Sequence, residues 1–301
     1  MLRSPNRRHE RTFFYKYTSA STAASILISK KVRLSSPLLF NDPFDTPRVL
    51  KLSFSGSDLL KGVIQEMVKL ARDPNYDISA NLSPFMQRYL SWMRSFEVDH
   101  YENLLHLAHE LNIPDKMEEV PAFIELQQKW TDLLPMTRIL CLAEENDNPV
   151  MWHTYADAYK GVVLQIDCID IYDSFLLLAK QVIYSDEIPT IGSIDVWIKQ
   201  GTGQIAFEYD AIFGQLEISK QTKWAYEKEW RVLSFEKDSS LLYSDYQLHP
   251  ASFTKVFVGK DVTVEDRQLF LSLADHDLSN LEVYDMLINQ VDRRIMFKRI
   301  K

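Results

Sequence analysis

The spacing of apolar and polar positions changes several times along this chain. Residues 12–17 read as a first strand. Ser21 then caps a helix over 22–30, and 32–34 return as a second strand. Residues 35–47, with prolines at 37, 43 and 47, form a loop. Asn41 and Asp42 are its turn formers ahead of Pro43, and Phe40 and Phe44 are its anchors on the core. From about residue 57 the period becomes helical, because Leu60, Val63, Ile64, Met67 and Val68 recur on one helical face. Ser83-Pro84 is a cap followed by proline at the first helical position, and 101–111 and 121–134 continue the helical pattern.

Strand-like segments resume at 138–143, and Asn148-Pro149 opens a helix carrying Met151, Trp152 and Tyr155. Residues 161–167 and 180–184 read as strands, and 191–216 as helix interrupted near Gly201 and Gly203. Strands near 229–235, 245–248 and 255–258 precede a helix over 264–274 and a strand at 281–283, and the basic tail 293–301 reads as a terminal strand or arm. Strands and helices do not alternate as a regular βαβ series, so the fold class is α+β rather than a doubly wound sheet. Three spans result: 1–56 as the N-terminal part of the α+β core, 57–134 as a helical insertion, and 135–301 as the remainder of the core.

Composition narrows the picture modestly. The 301 residues are 46% hydrophobic and 25% charged, an ordinary globular balance with length enough for a sizeable core. A net charge of −8 argues against broad nucleic-acid binding. Cys141 and Cys168 make neither a disulfide framework nor a metal site and point to a reducing cytoplasm. Arg3, Arg7, Arg8 and Arg11 have no apolar run behind them, so the start reads as a solvated tail and not as a signal peptide. No stretch reaches the length of a membrane-spanning helix, and no membrane partner is expected. The 8 glycines, with neither a Gly-x-Gly-x-x-Gly nor a P-loop, argue against a Rossmann or Walker-type site.

The densest chemistry lies in Trp224-Ala225-Tyr226-Glu227-Lys228-Glu229-Trp230-Arg231. On a strand, alternation puts Glu227, Glu229 and Arg231 on one face and Tyr226, Lys228 and Trp230 on the other. Paired carboxylates suit chemistry at a sugar carbon, where one can oppose an oxocarbenium-like centre. The alternative is a surface strand with ordinary cross-strand ion pairs. Trp152 and Tyr155, three apart on a helix, either wall a planar ring or pack on the sheet. His106, His109 and Glu110 have metal-compatible spacing but no third ligand, so no metal is expected. For Asn41, Asp42 and Asp45, bonding to the backbone of their own loop is the simpler reading than ligand binding.

The order of motifs adds a resemblance. Phe14-Tyr15-Lys16-Tyr17-Thr18-Ser19, Phe40-Asn41-Asp42-Pro43-Phe44-Asp45, Met151-Trp152-His153-Thr154-Tyr155, Lys160-Gly161-Val162-Val163-Leu164 and the Glu227/Glu229/Arg231 segment together resemble the bacterial domain-of-unknown-function family numbered 2971. That family in turn is similar to the ADP-ribosyltransferase fold. The resemblance implies a split β-sheet core with a helical insertion and NAD, as donor substrate, in a cleft between two small sheets. In its terms Glu229 is the catalytic carboxylate that steadies the ribose cation and bonds the 2′-hydroxyl, and Glu227 orients or deprotonates the acceptor. Arg231 holds a carboxylate or a pyrophosphate oxygen. Lys16 or Tyr17 stands where many transferases anchor the adenosine side of NAD with Arg or His, and Trp152 and Tyr155 form the ring-stacking wall. The acceptor is a protein or nucleic acid, and the implied setting is a toxin or phage-defence effector. Two other readings stand beside this one: a non-catalytic module that recognises a nucleotide or protein, and a relative acting on phosphorylated RNA ends.

Overall fold

The computed structural model describes residues 3–78, 82, 84–95, 101–103, 106, 110, 116, 119–206, 209–238 and 240–301. In chain order its elements are β1 (Phe13–Thr18), α1 (Ala20–Ser29), β2 (Lys31–Ser35), α2 (Gly56–Arg72), α3 (Pro84–Met93), α4 (Pro121–Leu133), β3 (Thr137–Ala143) and α5 (Pro149–Tyr155). There follow β4 (Val162–Asp167), β5 (Lys180–Gln181), β6 (Ile183–Tyr184), α6 (Ile194–Gly201), α7 (Tyr209–Glu217), β7 (Ser219–Lys220), β8 (Glu229–Phe235), β9 (Tyr243–Gln247), β10 (Phe253–Val258), α8 (Val264–His276), β11 (Glu282–Asn289) and β12 (Arg294–Arg299). The α+β class expected from the sequence is borne out by this combination of helices with a mixed sheet.

The chain divides into two compact units, one of Met1–Thr46, Leu133–Asp186 and Ile218–Lys301, the other of Pro47–Asp132 and Glu187–Glu217. The segment 187–217, read from sequence as core, clusters with the helical span. This second unit holds α2, α3, α6 and α7 with nearly all of α4, and an isolated bridge between Lys51 and Thr190. Ser55 and Asp58 form a capping box that starts α2. Val68, Leu70, Ala71, Met86, Leu90 and Met93 build a core of its own. Ser83 and His109 lie outside the described residues, and with them the proposed cap and metal pair. Among the described residues no His, Cys, Asp and Glu group is suited to a metal ion. None of their helices is long and apolar enough to cross a membrane.

The first unit carries a sheet in the order β12-β11-β10-β4-β1-β3-β2-β9, with β8 beside β3 and β5 beside β8. Its strands β3 and β4 are buried on both faces, whereas β2 exposes Lys31 and Arg33 on one. Along β4, Val162, Leu164 and Ile166 enter one core cluster and Val163 the other, as alternation requires. Leu27 of α1 and Phe270 and Leu273 of α8 belong to the cluster on the first face, and Trp152 of α5 to that on the second.

The sheet splits at β3. One edge of β3 pairs with β8 along its whole length, from Thr137↔Phe235 to Ala143↔Glu229. Its other edge meets β1 only at Tyr15↔Ala143 and β2 only at Ser35↔Ile139. Between those two registers β1 and β2 leave the edge open, and the Cys141 carbonyl accepts from the Lys16 ammonium at 3.4 Å instead of from a neighbouring strand.

Local chemistry explains the element boundaries and two departures from expectation. The cap of α1 is Ser19, whose hydroxyl accepts from the Thr22 amide, so the helix begins at Ala20, ahead of the expected Ser21 cap. The basic N-terminal segment is not a solvated tail. Arg7 forms a two-pronged bond to Asp170 (2.8 and 2.9 Å) and reaches the Cys168 carbonyl, and Asn6 bonds Asp173. A guanidinium that finds a carboxylate fork and carbonyls gains more there than in water.

Helix α5 starts as expected, with Asn148 accepting from the Val150 and Met151 amides and Pro149 at its first position. It stops in three consecutive residues with left-handed backbone, Asp157, Ala158 and Tyr159 (φ 47, 48 and 70°), a costly turn for residues with a Cβ. The turn delivers Gly161 against β1, where an added Cβ would lie 2.2 Å from the Thr18 carbonyl oxygen. Gly161→Ala is therefore expected to cost about 1–3 kcal/mol through overpacking. Denaturant unfolding checks this, and an unchanged midpoint would show that the turn yields freely.

Candidate functional site

A cavity of about 360 Å³ opens in the first unit where β3 loses its neighbour. Tyr15, Lys16 and Tyr17 of β1 and Cys141, Leu142 and Ala143 of β3 form its strand walls. Leu39, Phe40, Asn41 and Asp45 come from the segment after β2, Met151 and Tyr155 from α5, and Lys220, Glu227 and Glu229 complete the lining. This is the lower end of the size range for small-molecule sites.

The two glutamates converge, but not by strand alternation. β8 begins at Glu229, whereas Glu227 ends a 3-10 helix over Thr222–Glu227. Lys228 between them is left-handed (φ 44°, ψ 52°), and this reversal brings both carboxylates to the same side. Only Glu229 and Arg231 share a strand face. Tyr226, expected opposite the glutamates on a strand, lies within the 3-10 turn, and its carbonyl accepts from the Asn148 cap at 2.8 Å. That bond ties the start of α5 to the turn carrying Glu227.

A buried ionic lattice holds the carboxylates. Lys220 Nζ lies 2.5 Å from Glu227, 2.9 Å from Glu229 and 3.3 Å from Asp45. Arg231 donates Nε to Glu229 at 2.8 Å and Nη2 to both oxygens of Asp45 at 2.7 and 2.8 Å. Tyr155 donates its hydroxyl to Glu227 at 2.7 Å, and the Glu229 amide donates to the Tyr184 hydroxyl at 2.8 Å. Three carboxylates thus face two cations, one negative charge in excess, and Glu227, Glu229 and Arg231 are 4%, 3% and 0% exposed.

This environment separates the two carboxyls. Burial pushes Glu229 up, but Arg231 and Lys220 together outweigh it and hold the group at about 2. Burial dominates at Glu227 and raises its pKa in spite of Lys220. The Cys141 thiol bonds to Glu229 and is pushed well up by burial and that carboxylate, which leaves it a poor nucleophile. Lys16 is lowered by burial, and among the described residues its ammonium has only the long bond to the Cys141 carbonyl.

Of the site residues expected from sequence, Lys16, Tyr17, Tyr155, Glu227 and Glu229 come together at the cavity. Tyr17 is largely buried, its hydroxyl donating to the Glu145 carbonyl at 2.9 Å. One expectation is corrected and another narrowed. Trp152 is no ring-stacking wall: it is fully buried, donates to the Asn146 carbonyl, and packs edge-on to Tyr17 in the core. Arg231 is fully buried and outside the cavity lining, and of its two expected roles it takes that of holding carboxylates, Asp45 and Glu229. Asp42 does make the loop bond expected of it, accepting from the Phe44 amide, whereas Asp45 reaches into the lattice. Lys220, Cys141 and Tyr184 were not legible as site members, and Asp45 was read as a loop residue. Lys220 and Asp45 are buried and Cys141 and Tyr184 half-buried, which appears only with the tertiary structure.

Residues 151–232 match the family described as a protein of unknown function, DUF2971, which bears out the resemblance read from the motifs. The matched stretch contains Tyr155, Lys220, Glu227, Glu229 and Arg231. No curated protein and no solved structure matches the chain.

Arg231→Met leaves two buried carboxylates short of a cation and is expected to cost about 3–5 kcal/mol in urea unfolding at neutral pH. Glu229 sits at about 2, below its ordinary 4.5, so its contribution to stability is present above 4.5 and is lost as pH falls towards 2. That acid-dependent loss should shrink in Arg231→Met. Equal stability and equal acid profiles for the two proteins would remove the lattice as a stabilising element.

Proposed function

We propose that the cavity performs transfer chemistry at a ribose anomeric carbon, with NAD as donor and a protein or nucleic acid as acceptor. The observation that carries this reading is the pair of cavity-lining carboxylates driven in opposite directions, Glu229 to about 2 and Glu227 upwards. Unlike carboxyls side by side are the pattern of a site with one permanent charge and one proton carrier. As the glycosidic C1′–N bond breaks, its electron pair passes to the pyridine nitrogen and nicotinamide leaves neutral. Glu229 opposes the cation developing at C1′ and accepts from the 2′-hydroxyl. The acceptor's O–H or N–H then bonds to C1′ and gives its proton to Glu227, which Tyr155 orients. Lys16, a half-buried ammonium with only a long carbonyl bond among the described residues, is the contact for ligand phosphate. Tyr17 shapes the wall beside it, and Phe40 and Tyr155 offer faces to a planar ring. The toxin or phage-defence setting implied by the resemblance belongs to this same reading.

A second reading, a nucleotide-binding module without turnover, is favoured by one feature. Arg231, Lys220 and the Cys141 thiol already engage the Glu229 carboxylate. Incubating the purified protein with labelled NAD and cell lysate separates the two, because only the first releases nicotinamide and labels an acceptor.

Under the catalytic reading, Glu229→Gln is expected to lower nicotinamide release by about 10²–10³, measured at a temperature where the variant is folded. Glu227→Gln should lower acceptor labelling more than hydrolysis of NAD. Because a base must be ionised to act, the acid limb of the wild-type rate should lie above the ordinary glutamate value of 4.5. Near-native release and labelling in both variants would remove the pair from the chemistry.

A further inference from the structure

We infer that Lys220 is the positioning residue that keeps Glu227 a carboxylate, by bridging it through one ammonium to Glu229 and Asp45. Its purpose rests on the catalytic reading of the cavity, but its test does not. The ammonium is within 2.5–3.3 Å of all three carboxylates, and the side chain is 7% exposed. The ammonium nitrogen also lies over the Trp224 ring, 5.1 Å from its centre.

The backbone is organised around this delivery. Lys220 lies on β7, which pairs in parallel with β6 over two residues only, Ile183↔Ser219 and Tyr184↔Lys220. So short a parallel pair has little stability of its own. It is held by bonds from the Ile183 amide to the Ile218 carbonyl and from the Ser185 amide to the Lys220 carbonyl. Tyr184 of the same pair accepts the Glu229 amide. One small pair therefore sets Lys220 and the start of β8 relative to each other.

The charged and titratable groups around Glu227 are Lys220, Glu229 and the Tyr155 hydroxyl, with Tyr226 and Tyr184 nearby and Asp45, Arg231 and Cys141 behind Lys220 and Glu229. Lys220 is the cation in direct contact with Glu227, while Arg231 is turned towards Asp45, Thr46 and Glu229. Without Lys220, three buried carboxylates face one guanidinium. Asp45 and Glu229 keep that guanidinium, whereas Glu227 keeps only the Tyr155 hydroxyl, so Glu227 takes a proton and is lost as a base.

The test follows Glu227 itself. Protein labelled with carbon-13 at glutamate side-chain carboxyls is titrated by NMR without nucleotide, and the Glu227 signal is assigned by its loss in Glu227→Gln. Lys220→Met is expected to raise the Glu227 midpoint by about one to three pH units, and Lys220→Arg to leave it near the wild-type value. A role in packing alone would weaken the fold without moving the midpoint, and an unmoved midpoint in Lys220→Met overturns the inference. Should Lys220→Met fail to fold, the wild-type Lys220 ammonium nitrogen signal is followed instead. It is expected to shift with the Glu227 titration and to lose that response in Glu227→Gln, and an ammonium indifferent to Glu227 overturns the inference. Nicotinamide release is measured on the same samples. The expected titration with no release retains the role of Lys220 and removes the catalytic reading, whereas release with an unmoved midpoint does the reverse.

Discussion

Arg231, fully buried, cannot be left without its two carboxylates, and that constraint organises the centre of the molecule. Asp45 comes from the loop after β2, Glu229 from the start of β8, and Lys220 from a two-residue strand. Each ion has surrendered its hydration, so each must find every partner at once for the cluster to be tolerated. The result is a cooperative polar centre inside the first unit. It pins a proline-rich loop, a 3-10 turn and a strand end to one another, none of which has much regular structure to hold it in place.

The cavity follows from how the sheet is divided. β3 is fully paired on one side and touches two different strands on the other, so between Ile139 and Ala143 its edge is open. An open backbone edge next to a side-chain cluster is where a ligand finds both polar backbone and charge. Burial on both faces fixes β1 beside the opening. Phe14 and Tyr17 enter opposite cores, so a one-residue slip of β1 would send each into packing shaped for the other.

Within the lattice, proximity does not make the glutamates alike. Arg231 lies against Glu229, whereas Glu227 has Lys220 and a neutral phenol. Burial acts on both carboxyls, and the second cation decides between them. Asp45 matters here at a distance, since it shares both cations and tempers what each offers the glutamates.

Local signals were enough to outline most elements. The cap at Asn148, the prolines of the loop over 35–47 and the apolar periods of β4 and β8 act over a few residues, and the observed strand Glu229–Phe235 has the bounds expected from its pattern. The motif at 224–231 was legible as chemistry for the same reason: its residues are neighbours in sequence. What made it a site was not legible. The left-handed backbone at Lys228 occurs at a residue with a long side chain and no glycine to announce it, so the convergence of Glu227 with Glu229 looked like strand alternation. Trp152 and Tyr155 sit on adjacent turns of one helix, and only packing against Tyr17 decided that the first is core and the second faces the cavity. Arg231 meets Asp45 across 186 positions of sequence, and Lys220 carries no local pattern at all. Such partners are chosen by the cost of an unmatched buried charge, a quantity that exists only once the chain has closed around it.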